Sequence, residues 1–126
     1  MNLRTPIARA RGLGSAKEGV GHWWAQRVTA AALVPLALWF AVSMLSVARA
    51  DYISAVEWIG RPFNTAMLVL FLATTFHHAQ LGLQVVIEDY VHGEGVKIAS
   101  LLAMKFIVIL WGAAAIFAVL RIAFGG

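Results

Sequence analysis

The chain has 126 residues, 61% of them hydrophobic and 13% charged, with a net charge of +4 and no cysteine. That balance excludes an ordinary water-soluble domain, and the missing thiols exclude disulfides and zinc or iron–sulfur ligation by thiolate within the chain. A basic excess on a soluble protein would point to nucleic acid; here the charges flank long uncharged runs and read first as markers of membrane orientation.

Residues 1–21 hold Arg4, Arg9, Arg11 and Lys17 against a single acid, with four glycines and no helical stripe. They are expected to form a cytoplasmic arm that orders against a partner. The Arg-rich start faintly resembles a mitochondrial transit peptide, but a bacterial inner membrane needs no import signal and is the simpler location. His22-Trp23-Trp24 then places amphipathic rings where a membrane surface collects them.

The first span is expected at about 22–48. Its core, Val28 to Val47, carries no charge, and Pro35 inside it removes one backbone hydrogen bond. Ala48-Arg49-Ala50 has the look of a signal-peptidase site, yet the apolar run before it exceeds the roughly 7–15 residues of a signal sequence. A short loop from Arg49 to Arg61, with Tyr52 and Trp58 as belt residues, leads to a second span at about 62–88. The second loop is expected from Glu88 to Ala99, with Ser100 capping a third span at about 100–123. Lys105 would then lie one turn inside and snorkel to the headgroups. Ala30-Ala31-Ala32 and Gly112-Ala113-Ala114-Ala115 offer small-residue faces for close packing.

Each span meets the roughly 20 apolar residues needed to cross about 30 Å of hydrocarbon, and the roughly 10-residue alternating segments of a β-barrel are absent from the sequence. The fold class is therefore all-α: one integral membrane domain, residues 1–126, of three helices joined by short loops. Arg4, Arg9, Arg11, Lys17, Arg27, Lys97 and Lys105 fall on one side against Arg49, Arg61 and Arg121 on the other. That asymmetry predicts a cytoplasmic N-terminus and a periplasmic C-terminus.

The second span carries Thr74, Thr75, His77, His78, Gln80 and Gln84 and ends in Asp89-Tyr90. Polar side chains at membrane depth are costly and turn inward. His78 precedes Asp89 by eleven residues, about 16 Å of helix axis, and shares its face with Asp89 and Gly82. Two readings stand for His78: a polar contact to a neighbouring helix, or an axial ligand to haem. His77 and His78 point about 100° apart on a helix and cannot grip one iron from both faces. The first and third spans hold no histidine beyond the belt residue His22, so a six-coordinate haem would take its second ligand from another chain.

The stretch His78-Ala79-Gln80-Leu81-Gly82-Leu83-Gln84-Val85-Val86-Ile87-Glu88-Asp89-Tyr90 resembles the second-helix signature of the smaller hydrophobic membrane anchors of succinate dehydrogenase, a histidine followed after ten residues by Asp-Tyr. Arg27-Val28-Thr29-Ala30 is similar to that family's first-helix start. The resemblance implies that His78 ligates the iron of haem b together with a histidine of the large cytochrome b anchor subunit. It implies that Tyr90 and Asp89 line a ubiquinone site beside the iron–sulfur subunit, and that Arg27 reaches a haem propionate or the quinone region. The expected function is that of a membrane anchor of succinate:ubiquinone oxidoreductase, docking the flavoprotein and iron–sulfur subunits without succinate chemistry of its own. A fumarate reductase anchor is the near alternative, and a small transporter or assembly subunit the alternative of another class.

Overall fold

The computed structural model describes residues 17–125, and among them every regular element is a helix. They are α1 (Lys17–Val47), α2 (Tyr52–Gly60), α3 (Pro62–Tyr90) and α4 (Glu94–Phe124). Three of these, Gly19–Val47 within α1, Pro62–Tyr90 and Glu94–Phe124, are long and apolar enough to cross a membrane. Helices of 29 to 31 residues run about 44–46 Å, well beyond about 30 Å of hydrocarbon, so their ends stand in the headgroups or beyond.

That excess length explains two departures from the sequence reading. The helix of the first span begins at Lys17, inside the expected arm, whose residues 1–16 lie outside the described residues. Gly19 and Gly21 cost the helix roughly 0.5–1 kcal/mol each relative to alanine, but the α1 ladder runs through both. The third span begins at Glu94, not Ser100. Its N-cap is Gly93, and the Glu94 carboxylate sits in the first turn, where the helix dipole favours negative charge. Only Val91, His92 and Gly93 separate α3 from α4, and Lys105 is now eleven residues, about 16 Å, into its helix.

The expected first loop is itself mostly helix. The Ser54 N–H donates to Asp51 Oδ1 at 3.1 Å and caps α2. Hydrogen bonds from the Ser54 side chain and backbone hold the Asp51 carboxyl below its ordinary range. At the other end, Asn64 Nδ2 donates to the Trp58 carbonyl at 2.8 Å and Thr65 Oγ1 to the Ile59 carbonyl at 2.6 Å. Buried side chains from the first turn of α3 thus reach two carbonyls at the end of α2, of which that of Trp58 also accepts the Arg61 N–H at 3.4 Å. Trp58 stacks on Trp39 of α1, with centroids 5.7 Å apart, and Phe63 meets the edge of the same ring.

α3 is the central helix. It packs against α1 on one side and α4 on the other, while the backbones of α1 and α4 do not approach each other closely. Among the described residues the buried apolar side chains are few: Leu36, Leu68, Leu81 and Met104. Phe40 of α1 stacks on Phe71 of α3 at 4.8 Å. Across the other seam, a Cβ at Gly112 would sit 3.2 Å from Phe76 Cγ and 3.4 Å from its Cβ. Gly112 is buried, whereas Ala113 and Ala114 are exposed, so the close approach rests on one glycine rather than the whole small-residue run. Gly112→Leu is expected to lower the unfolding free energy of the detergent-solubilised protein by about 1–3 kcal/mol through overpacking. Gly112→Ala is expected to cost less, because Phe76 need give only a few tenths of an ångström; denaturant titration followed by circular dichroism measures both.

Candidate functional site

The α1–α3 seam carries the polar chemistry. α1 presents His22, Gln26 and Thr29 at spacings of four and three, one helical face. α3 presents His78, Gly82 and Val85 at spacings of four and three, running the opposite way. The two stripes therefore pair in antiparallel order. Thr29 meets His78, with Oγ1 and Nδ1 2.9 Å apart. A Cβ on Gly82 would lie 3.7 Å from Gln26 Nε2. Gly19, His22, Trp23, Gln26 and Arg27 of α1 and Gly82 and Val85 of α3 enclose a cleft of about 400 Å³.

The cleft is partly polar and incompletely satisfied. His22 Nε2 and Gln26 Oε1 are buried without hydrogen-bond partners, and so is Thr75 Oγ1, three residues before His78. A buried polar atom left unpaired costs about 1–3 kcal/mol. Arg27 is exposed beside the cleft, with its guanidinium carbon 5.0 Å from the centre of the Trp23 ring, a cation–π contact.

Of the site residues expected from the sequence, the fold brings His78 and Arg27 to one seam. His78 is half-buried, and its neighbour His77 is exposed on another face of α3. Asp89 is exposed and Tyr90, 76% exposed, is the last residue of α3; neither lines the cleft. They sit about one turn or more beyond Val85, toward the same end of the molecule. Gln26 and Thr29 are polar residues of the seam to which sequence reasoning gave no part in the site, and it read His22 only as a belt residue. Their shared helical face was the signal available, but the belt position of His22 masked it.

A haem is a fair test for these residues. Among the described residues no three His, Cys, Asp or Glu side chains converge, and a haem iron would need only an axial ligand from this chain. His78 matches it: Nδ1 is engaged by Thr29, and Nε2 has no hydrogen-bond partner among the described residues. Histidine iron ligands keep one ring nitrogen on a second protein group in this way. His78 is not among the residues lining the 400 Å³ cleft, so that cleft is not itself the pocket of a macrocycle held on His78.

The comparisons with known proteins agree with this architecture. Residues 1–120 match the family model described as succinate dehydrogenase/fumarate reductase transmembrane subunit. The chain is 38% identical to the succinate dehydrogenase hydrophobic membrane anchor subunit of Rickettsia bellii, over 86% of this chain and 87% of that protein. It is 37% identical to the protein of the same description from Paracoccus denitrificans, over 99% and 96% of the two chains. A succinate dehydrogenase membrane anchor subunit of Reclinomonas americana is 34% identical over 74% and 80%. With three membrane-spanning helices and a match along almost its whole length, the chain belongs to the succinate dehydrogenase/fumarate reductase transmembrane subunit family, as a membrane anchor subunit of succinate dehydrogenase.

Proposed function

We propose that this anchor subunit holds one face of a haem b through His78 and helps build the site at which electrons from succinate reach ubiquinone. The observation that carries the reading is the single half-buried imidazole of α3, engaged at Nδ1 and without a partner at Nε2 among the described residues, at the family signature position. When bound, the haem supplies a one-electron centre inside the membrane. The second axial ligand belongs to the large cytochrome b anchor subunit, because this chain has no other histidine facing the seam at that depth. Arg27 stands at the mouth of the cleft with a charge suited to a propionate carboxylate or to a reduced quinone oxygen.

Tyr90 and Asp89 lie at the end of α3 where the iron–sulfur and flavoprotein subunits dock. The phenol of Tyr90 donates to a quinone carbonyl and stabilises the negative charge that develops there, while Asp89 tunes the field at the same end. Tyr90 is 76% exposed in this chain, so the quinone site is dry only when the iron–sulfur subunit covers it. Electron flow runs from succinate to quinone, a direction supported by the descriptions of the relatives as succinate dehydrogenase anchors. The transporter reading has little to favour it, since three unbroken helices without a repeat lack the discontinuous spans of transport folds.

The orientation follows from charge. With Lys105 well inside α4, Arg4, Arg9, Arg11, Lys17, Arg27 and Lys97 face Arg49, Arg61 and Arg121, six against three. The N-terminus and the α3–α4 turn are cytoplasmic and the C-terminus periplasmic, in a bacterial inner membrane. A reporter fused after Gly126 is expected to be active only in its periplasmic form; activity of the cytoplasmic form there would reverse the orientation and move the quinone site to the wrong side.

Haem ligation is tested by two neighbouring substitutions. His78→Ala is expected to abolish the low-spin b-type spectrum of the purified complex, and His77→Ala to leave it intact. Equal behaviour of the two variants would remove the assignment. Tyr90→Phe deletes one hydroxyl and is expected to preserve assembly, haem content and succinate oxidation by a soluble artificial acceptor. Quinone reduction should fall at least about tenfold, toward the roughly hundred- to thousand-fold loss known for single preorganised donors. An unchanged rate in an intact complex would return Tyr90 to the role of an interface anchor.

A further inference from the structure

The partners of Thr29 decide which nitrogen of His78 carries the proton. Thr29 Oγ1 lies 2.7 Å from the Ala25 carbonyl oxygen, 3.1 Å from the Gln26 carbonyl oxygen and 2.9 Å from His78 Nδ1. A threonine hydroxyl has one proton and two lone pairs. Were that proton given to His78, two oxygens would face each other at 2.7 Å with no proton between them, in surroundings of low dielectric that strengthen their repulsion. The proton therefore goes back along α1 to Ala25, four residues earlier, a familiar bond for threonine in a helix. Toward His78 the hydroxyl presents a lone pair, and Nδ1–H is the donor.

From this geometry we infer that Thr29 is a positioning residue for the haem ligand: it fixes His78 as the Nδ1–H tautomer, orients the ring and strengthens Nε2 as a donor to iron. The inference rests on the ligation reading above and adds the residue that prepares the ligand. Two features make the control firm. Thr29 is β-branched and tied to its own helix, so its hydroxyl has little rotational freedom. The bond also crosses between helices, so the ring plane is set by how α1 packs on α3 rather than by α3 alone. Accepting a hydrogen bond from Nδ1–H raises the electron density of the imidazole and favours the more highly charged ferric iron.

The test uses the assembled complex with Thr29→Val, which keeps the branched shape and removes the oxygen, and Thr29→Ser, which keeps the oxygen. Thr29→Ala serves as a smaller replacement should valine disturb the seam. The readouts are the haem midpoint potential from redox titration and the g-values of the ferric low-spin signal by electron paramagnetic resonance. Valine or alanine is expected to raise the potential by the equivalent of about a tenfold change in the ferric-to-ferrous ratio, about 59 mV for one electron, with a broadened low-spin signal. Serine is expected to return both to the wild-type values. A wild-type potential and signal in Thr29→Val, or a serine variant displaced as far as valine, would overturn the inference. His78→Ala separates this failure from that of the underlying reading: if haem ligation survives without His78, the ligation reading falls, whereas ligation lost in His78→Ala alongside an unmoved Thr29→Val overturns the role of Thr29 alone.

Discussion

Hydrocarbon offers a polar group no partner, so each one in the membrane-spanning part of this chain must find its partner in protein. The backbone meets that demand by staying helical for 29 to 31 residues at a time. Side chains meet it at two levels of α3. At one end, Asn64 and Thr65 close the carbonyls of α2; deeper in, His78 reaches Thr29. The same rule makes the exceptions informative. His22 Nε2, Gln26 Oε1 and Thr75 Oγ1 are covered yet unpaired. Two of these belong to residues lining the partly polar cleft between α1 and α3, and all three lie within about two turns of the Thr29–His78 bond.

The central position of α3 divides its surface by function. His78 and Phe76 are two residues apart and so about 200° apart around the helix. One turns to the polar seam with α1 and the other to the tight apolar seam at Gly112 of α4. Because the backbones of α1 and α4 do not approach each other closely, the three spans form an open layer rather than a closed bundle. Such a layer buries little of itself, as the four buried apolar side chains among the described residues indicate. Membership of a respiratory complex supplies partner subunits, and lipid supplies the remaining cover.

The membrane spans were legible because hydropathy is a local property, and about 20 apolar residues in a row have few other solutions. Their ends were less so. Charged and glycine-containing turns such as Gly19–Gly21 and Glu94–Lys97 read as loop, although a helix can continue into the headgroups at little cost. α2 was missed because nine residues between two arginines carry a weak pattern, and its stability comes from Asp51 before it and from Asn64 and Thr65 after it. His78 was separated from His77 by spacing and resemblance; in the fold His78 is half-buried against α1 and His77 is exposed. The Thr29 contact spans 49 residues of sequence. No local pattern carries such a pairing; it follows only once α1 and α3 are in register.

Lys105 shows how one boundary changes the physics of a residue. With a cap at Ser100 it would lie in the second turn of its helix, and its stem would bring the ammonium to the headgroups. Beginning the helix at Glu94 puts it about 16 Å from that end; as the helix overruns the hydrocarbon by about 8 Å at each end, the lysine starts about 8 Å below the headgroups, a distance its stem largely spans. Lys105 is exposed at the surface of this chain and has no ion-pair partner among the described residues. Met104 beside it is buried against the rest of the molecule, so the backbone there cannot rotate to hide the charge without withdrawing that packing. The ammonium is met near the headgroups by water, by a lipid headgroup or by an acceptor on a neighbouring subunit, and α4 is held in the layer by Phe76 and Gly112 whichever of these covers it.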